Sequence, residues 1–228
     1  GIAVFYKTPT CLDNTQNQGE AGVDCGGPCA KACVADVKPA QVRFARAVVP
    51  GADRTDVIAY VDNPNTGEAA HAVPATVEVY DANHALLATR DVTFDLTPGG
   101  MTPVFVEGIV SGAATVSQTF FTIHDADVQW IRSAQKPVVP AVQDIVWQNT
   151  DQPRVGATLV NPIAQPFTNV FLIATVFDAS GNAIAASRTV VASVPSQGTA
   201  QAIFTWNVPF SAPPARVEVV PLVFVRGL

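Results

Sequence analysis

Four oxygen-bearing side chains and four cysteines share one short stretch near the start of the chain, residues 11–33. The oxygen-bearing side chains, spaced 4, 3 and 4 residues apart, are Asp13, Asn17, Glu20 and Asp24. Calcium is held by six to eight oxygens from carboxylates, amides and backbone carbonyls, and the glycines between these residues let the backbone turn tightly. The pattern predicts a calcium ion bound by these four side chains. The alternative is a small stapled loop whose polar residues hold no ion.

The cysteines of the protein all lie in this stretch, at Cys11, Cys25, Cys29 and Cys33. Zinc sites normally pair two short cysteine knuckles or use nearby histidines, and this spacing has neither. The even count therefore predicts two disulfides and no free thiol. Three connectivities are open, of which Cys25–Cys29 is disfavoured because the geometric limits on a disulfide are narrow. Disulfides persist in oxidising compartments, so the spacing also predicts an extracellular or cell-surface location.

The same stretch resembles a Cys-rich segment of bacterial membrane-anchored surface proteins, of the form C-x-D-G-x-x-N-Q-x-E-x-x-x-D-C-G-G-x-C. The chain departs from this form at Asn14, where glycine is usual, and asparagine also tolerates a left-handed turn. The matching residues after Cys11 are Asp13, Asn17, Gln18, Glu20, Asp24, Cys25, Gly26, Gly27 and Cys29. The resemblance implies a place just outside a membrane, anchored by a membrane-spanning segment upstream of Gly1. The acidic spacing is also similar to that of the calcium loops of thrombospondin type 3 repeats.

The first residues, 1–6, form a short apolar run that ends in aromatic side chains. Such a run suits the outer end of a membrane-spanning helix, with the aromatics at the interface. Six residues are too few to cross a bilayer, which takes about 20. Two other interpretations stay open: a mature end left by signal-peptide removal, and a free strand over residues 2–6 that completes the sheet of a neighbouring chain. The first is the preferred interpretation.

The composition of the 228 residues favours strands. Valine occurs 35 times and leucine 8 times, and β-branched side chains suit strands better than helices. The net charge is −6, with no basic cluster to meet phosphates, which argues against binding nucleic acid. We expect a protein or surface partner, and self-association stays open.

Alternating apolar residues bounded by turns recur along the chain and then repeat. Residues 57–64 match residues 155–162, each ending in an Asn-Pro turn, and residues 77–82 match residues 174–179. This order and spacing predicts two copies of a sandwich of about 100 residues. We expect an N-terminal segment at residues 1–10, a Cys-rich segment at 11–34, a first β-sandwich at 35–134 and a second at 137–228. The last predicted strand covers residues 217–225.

The two repeats resemble Ig-like sandwiches of the FxLYD or late-embryogenesis-abundant type, which implies an all-β fold with two tandem Ig-like domains. The histidines, His71, His84 and His124, lack the spacing of a helical metal motif, and no nucleophile elbow, phosphate loop or dinucleotide motif is present. We therefore predict no enzymatic activity and no catalytic residues. The expected function is an extracellular structural, adhesion or interaction module. The alternative is a filament subunit that assembles by donating residues 2–6.

Overall fold

The computed structural model describes residues 10–112, 114–133 and 137–225. Within these residues the first sandwich consists of β1 (Gln41–Gly51), β2 (Arg54–Asn63), β3 (Glu68–Tyr80), β4 (Leu86–Leu96), β5 (Gly100–Ser111), β6 (Gln118–Ile123) and β7 (Trp130–Arg132). The second consists of β8 (Ala141–Gln148), β9 (Arg154–Val160), β10 (Phe167–Phe177), β11 (Ala183–Val194), β12 (Thr199–Thr205) and β13 (Arg216–Pro221). Two short 3₁₀ turns lie at Val34–Asp36 and Asp125–Asp127. The predicted fold class, two tandem β-sandwiches after a small disulfide-rich segment, is confirmed.

Both sandwiches have the same strand order. In the first, a front sheet β1-β2-β5 faces a back sheet β4-β3-β6, with the short β7 also on β3. In the second, the front sheet is β8-β9-β12 and the back sheet is β11-β10-β13. All neighbouring strands are antiparallel. Strands β1–β6 thus correspond in order to β8–β13.

Each sandwich encloses its own apolar core, built from the inward positions of alternating strands. Val57, Ala59 and Val61 of β2 point into the first core, and Val155, Ala157 and Leu159 of β9 point into the second. Because every second residue of a strand faces the same way, the alternation visible in the sequence is enough to specify both cores.

A buried asparagine lies at the end of the second strand of each sandwich and holds two loops together. The Asn63 amide donates to the carbonyls of Glu68 and Thr97, at 2.8 and 2.9 Å. The Asn161 amide donates to the carbonyls of Gln165 and Pro195, at 2.8 and 2.9 Å. Each side-chain oxygen also accepts the backbone N–H two residues later. The Asn-Pro turns therefore serve the fold, as their sequence predicts.

The last strand is shorter than predicted, because β13 ends at Pro221 rather than near residue 225. The Leu222 N–H still donates to Phe171 O of β10, at 2.8 Å. The chain then crosses to the first sandwich, where the Val225 N–H donates to Asp95 Oδ2 at 2.7 Å. The apolar pattern predicted a continuous strand, whereas the final residues pack between the two sandwiches.

Several predicted features lie outside the described residues. These are the apolar run at residues 1–6, including the donor strand at 2–6, and residues 134–136 of the connector between the sandwiches. The strand-donation hypothesis, which depends on residues 2–6, stays a prediction. Among the described residues, no helix is long and apolar enough to cross a membrane.

Candidate functional site

The Cys-rich segment is closed by two crossed disulfides. Cys11 pairs with Cys29, and Cys25 pairs with Cys33, so no cysteine of the chain is free. The disfavoured Cys25–Cys29 pairing does not occur. The two bridges interleave along the sequence and confine the acidic residues to a compact loop.

Two of the predicted calcium ligands, Glu20 and Asp24, are buried. Asp24 accepts the backbone N–H groups of Asp13 and Asn14, one on each carboxylate oxygen and both at 2.9 Å. Glu20 Oε2 accepts the N–H groups of Asn17 and Asp24, both at 3.2 Å. These carboxylates therefore hold the loop backbone, in the way that capping side chains satisfy donors in turns.

The other two predicted ligands contact each other. Asp13 Oδ2 accepts a hydrogen bond from the Asn17 side-chain amide at 2.9 Å, and Asp13 Oδ1 accepts the Thr15 N–H at 3.0 Å. The Asn17 Oδ1 atom is buried and has no hydrogen-bond partner within the described residues. Buried polar atoms are normally paired, so this oxygen is an acceptor without a donor.

Glu20 also lies against the Cys11–Cys29 disulfide, with its Oε1 3.1 Å from Cys29 Sγ. Within the described residues, one group of three side chains of metal-binding type has its ligand atoms within 4.8 Å of one another: Cys11, Glu20 and Cys29. Both sulfurs belong to one disulfide and offer no thiolate, so this group does not form a zinc-type site. Within the described residues, the carboxylates of Asp13, Glu20 and Asp24 do not form a group with oxygens this close to one another.

The Cys-rich segment is joined to the edge of the first sandwich. The Ala32 N–H donates to Trp130 O at 3.0 Å, and the Arg132 N–H donates to Ala30 O at 2.7 Å, on either side of a bridge between Lys31 and Ile131. The Arg132 guanidinium also donates to Gly27 O. Ala32 is buried in the first core together with Trp130. The segment therefore extends the back sheet beyond β7.

A third apolar cluster joins the two sandwiches. It forms between the outer face of the first front sheet and the outer face of the second back sheet. Tyr60 stacks on Phe44 with ring centroids 4.9 Å apart, and Phe177 meets both rings edge-on at 6.0 and 6.2 Å. The members are Phe44, Val48, Ile58, Tyr60, Phe105, Ile173, Phe177, Ala183, Ala186 and Leu222. We call this cluster the inter-sandwich interface.

Polar contacts surround the inter-sandwich interface. The Tyr60 hydroxyl donates to Glu218 at 3.0 Å, Arg46 donates to Asn182 at 2.6 Å, and Arg188 pairs with Glu107 at 3.2 Å. Burial raises the pKa of Tyr60 above its ordinary 10.0. The hydroxyl therefore stays protonated, as a donor to Glu218, over the physiological range.

Glu107 belongs to a charged network at the edge of this interface. Arg54 pairs with both Glu107 and the buried Asp56, at 2.8 and 2.9 Å. The Gly108 N–H donates to Asp56 Oδ1 at a bulge in β5, where Gly108 has φ +60. Burial raises the pKa of Asp56 above 3.8, against the lowering effects of the Gly108 N–H and of Arg54. The charged groups of this network pair with one another, so their role is structural.

A cleft of about 400 Å³ lies beside the interface, and Phe94, Met101 and Phe224 are among its lining residues. His71 also lines the cleft and pairs with Asp95 at 3.0 Å. The other two histidines lie elsewhere: His84 contacts Gln118 and His124 contacts Thr76. The histidines therefore have separate partners and do not converge.

The tryptophans divide between core and surface. Trp130 and Trp206 are buried in the first and second cores, and the Trp206 ring N–H donates to Ala186 O at 3.2 Å. Trp147 is exposed on the edge strand β8. A single exposed ring does not form a stacking platform for a carbohydrate.

Sequence reasoning missed the inter-sandwich interface, although the sequence contains a signal for it. Residues 57–61 are all apolar, and residues 172–177 are apolar apart from Thr175. A strand with one solvated face alternates, whereas a strand covered on both faces reads as a continuous apolar run. These two runs mark the strands that are covered twice.

Comparisons with known proteins identify no family. No family model matches the chain, and no curated protein matches it. Among solved structures the chain is similar to red sea bream transglutaminase, with 14% identity and a TM-score of 0.22, over 84% of this chain and 32% of that one. It is also similar to the CBM22-1-CBM22-2 tandem domain from Paenibacillus barcinonensis Xyn10C, with 8% identity and a TM-score of 0.14, over 86% and 90%. Neither likeness is strong enough to bear on fold or activity.

Proposed function

We propose that the chain is a non-enzymatic structural and interaction module on the outside of a bacterial cell, with its Cys-rich segment on the membrane side. The observation that carries this proposal is the attachment of that segment to the first sandwich. Residues 30–32 hydrogen-bond beside β7, and Ala32 enters the first core. A disulfide-closed segment joined in this way acts as a stiff stem rather than a flexible tether.

The joined sandwiches support the same role. An aromatic cluster and three polar contacts fix the second sandwich against the first. Interfaces inside a chain allow domain motion unless they are large and apolar. A stem and two fixed sandwiches suit a protein that holds a binding surface at a defined distance from its anchor.

Protease treatment of intact source cells tests the location. The chain should fractionate with membranes and be degraded by external protease, while a cytosolic marker stays intact. Recovery of the undegraded chain in the soluble cell interior would contradict the proposal, because the two disulfides would then lie in a reducing compartment.

Calcium binding by Asp13, Asn17, Glu20 and Asp24 is the second part of the proposal. Each Asp24 oxygen accepts one backbone N–H, and a carboxylate oxygen that accepts one hydrogen bond keeps further acceptor capacity for an ion. The Asn17 Oδ1 atom, which lacks a donor among the described residues, adds a neutral ligand. Affinity on the order of 10⁻⁴ to 10⁻³ M is typical of extracellular calcium modules.

Calorimetric titration of calcium into the chelator-stripped chain tests this part. Binding should release or absorb heat, and Asp13→Asn should weaken it at least tenfold by removing one negative ligand. Asp36→Asn, just after the Cys-rich segment, is the matched control and should leave binding unchanged. Absence of heat at millimolar calcium would mean that the acidic residues serve only as acceptors for the loop backbone.

A further inference from the structure

The inter-sandwich interface joins two different faces, a front face of the first sandwich and a back face of the second. Because the two sandwiches have the same strand order, each face has a counterpart that remains open. The back face of the first sandwich and the front face of the second have no such cover within the described residues. Packing of unlike faces is directional, and repeating it between molecules gives a ring or an open chain of copies.

The open back face carries an exposed apolar patch, which we call the donor patch: Tyr80, Leu86 and Phe120. Leu86 is 51% exposed and Phe120 is 50% exposed, and Phe120 meets the Tyr80 ring edge-on at 5.7 Å. Tyr80 pairs in register with Leu86. Single exposed apolar residues are ordinary, but a contiguous aromatic and aliphatic group marks an interaction surface.

The donor patch lies where the second sandwich makes its internal contact. Tyr80 of β3 corresponds to Phe177 of β10, 97 residues later, and Leu86 corresponds to Ala183, because each pair is in register across its hairpin. Phe177 and Ala183 belong to the inter-sandwich interface. The donor patch therefore has the place in the first sandwich that already serves as a contact in the second.

The open front face carries a small depression, which we call the acceptor slot: Val146, Gly156 and Ile203. Gly156 pairs in register with both Val146 and Ile203. A Cβ atom at Gly156 would make ordinary van der Waals contact with Val146 at 3.6 Å and with Ile203 at 3.7 Å, so the missing side chain leaves a depression the size of a methyl group between them. Val146 is 64% exposed.

The acceptor slot also corresponds to a residue of the internal interface. Gly156 is the counterpart of Ile58, which pairs in register with Phe105, as Gly156 does with Ile203. Ile58 and Phe105 both lie in the inter-sandwich interface. Ile58 fills this position with a side chain in the first sandwich, whereas Gly156 leaves it without a side chain in the second.

Charge and position favour the same pairing. Glu78 pairs in register with Phe120 of the donor patch, whereas Arg154 lies on the outer face two residues from Gly156 of the acceptor slot. The Cys-rich segment is attached near residues 68–70 of β3, about ten residues or roughly 33 Å from Tyr80, so it does not cover the patch.

We propose that the chain associates with copies of itself head to tail, with the donor patch of one copy seated in the acceptor slot of the next. The inference names a second copy as partner for the proposed interaction module and rests on that role. Monomeric behaviour in solution would overturn it without affecting the cell-surface experiment.

Sedimentation velocity of the full chain between about 1 µM and 1 mM tests the proposal across the range of weak and moderate association. The average sedimentation coefficient should rise with concentration and should not level off at a dimer. Phe120→Glu and Ile203→Glu should each weaken association at least tenfold. Val138→Glu, at an exposed connector residue, is the control and should change nothing.

Mixing the two variants gives the decisive result. The Phe120→Glu copy keeps a working acceptor slot and the Ile203→Glu copy keeps a working donor patch, so the mixture should form one-to-one dimers and nothing larger. Melting curves should first establish that both variants fold. A monomeric wild type at 1 mM, a monomeric mixture, or equal weakening by Val138→Glu would each overturn the proposal.

Discussion

Asn63 and Asn161 show how one side chain can stand in for several backbone contacts. Each lies buried at the end of a strand and connects two loops that no sheet pairs. Asparagine fits because its amide offers two donors and its carbonyl an acceptor on one short side chain. An aspartate would keep the acceptor but lose both donors.

Replacing Asn161 with alanine should destabilise the second sandwich. The substitution leaves the carbonyls of Gln165, Val194 and Pro195 without their donor, and Val194 is fully buried, where an unsatisfied group costs about 1–3 kcal/mol. Chemical denaturation should therefore show a loss of about 2–3 kcal/mol. Asn149→Ala, at an exposed position, is the control and should change the stability by less than about 0.5 kcal/mol.

Asp178 should make stability depend on pH at acid values. Its Oδ1 accepts the N–H groups of Asn182 and Ser180, at 2.8 and 2.9 Å, and these bonds, that of Asn182 first, lower the pKa of the carboxyl below 3.8. A lowered pKa in the folded state contributes stability above the unfolded value. That contribution is lost as the pH falls through the folded value.

Denaturation between pH 6 and pH 2 checks this expectation. Asp178→Asn removes the titrating group and should flatten the acid limb of the stability profile relative to wild type. Asp178→Glu keeps the charge but displaces the carboxylate from the two N–H groups, so it should also flatten the acid limb of the profile. An unchanged profile in both variants would mean that other carboxyls set the acid limb.

At the scale of elements, the Cys-rich segment acts as an added strand. Its residues 30–32 hydrogen-bond beside β7, and Ala32 shares the first core with Trp130. The Cys25–Cys33 bridge closes a loop around these residues and keeps them extended toward β7. The disulfide therefore supports the sheet edge as well as the loop.

Replacing both Cys25 and Cys33 with alanine should loosen this edge. Closing a loop of 8 residues accounts for roughly 2–3 kcal/mol by the chain-entropy relation. We expect a loss of that size, with a change in the fluorescence of Trp130, which packs against the segment. Cys11→Ala with Cys29→Ala should leave the Trp130 signal closer to wild type, because that bridge closes the acidic loop instead.

Strands, turns and the repeat were predictable because each follows from local rules. Alternation identifies strands such as β3, and Asp81 and Asp178 accept N–H groups in matching hairpin turns, as turn residues do. The disulfide pairing was not predictable, since the spacing allows three connectivities. The predicted final strand was too long, because the apolar residues after Pro221 pack between the sandwiches rather than in a sheet.

At the scale of the whole molecule, the inter-sandwich interface joins the two sandwiches. Corresponding positions of the two repeats differ in residue type where one sandwich is covered and the other is open. Gly156 corresponds to Ile58, Thr158 corresponds to Tyr60, and Thr76 corresponds to Ile173. The inner faces keep their apolar character in both copies. Differences between the repeats therefore concentrate on the outer faces, where the two sandwiches meet or stay open.

Phe177→Ala should separate the sandwiches. Removing the ring that meets Phe44 and Tyr60 costs about 3–5 kcal/mol for a buried phenylalanine. We expect unfolding in two steps instead of one, and a larger radius of gyration by small-angle scattering. Trp147→Ala, at an exposed ring on the edge strand β8, is the control and should keep a single transition.

The crossed bridges also determine how mechanical tension would travel. A pull on the chain ahead of Cys11 passes through the Cys11–Cys29 bond to residues 30–32 and so to the sheet. The residues between Cys11 and Cys29 form a side loop outside this path, so the acidic side chains keep their positions while the chain is stretched. Reduction of that one bond would release only the chain from Cys11 to Cys25, about 46 Å of added contour, because the Cys25–Cys33 bond still closes the rest.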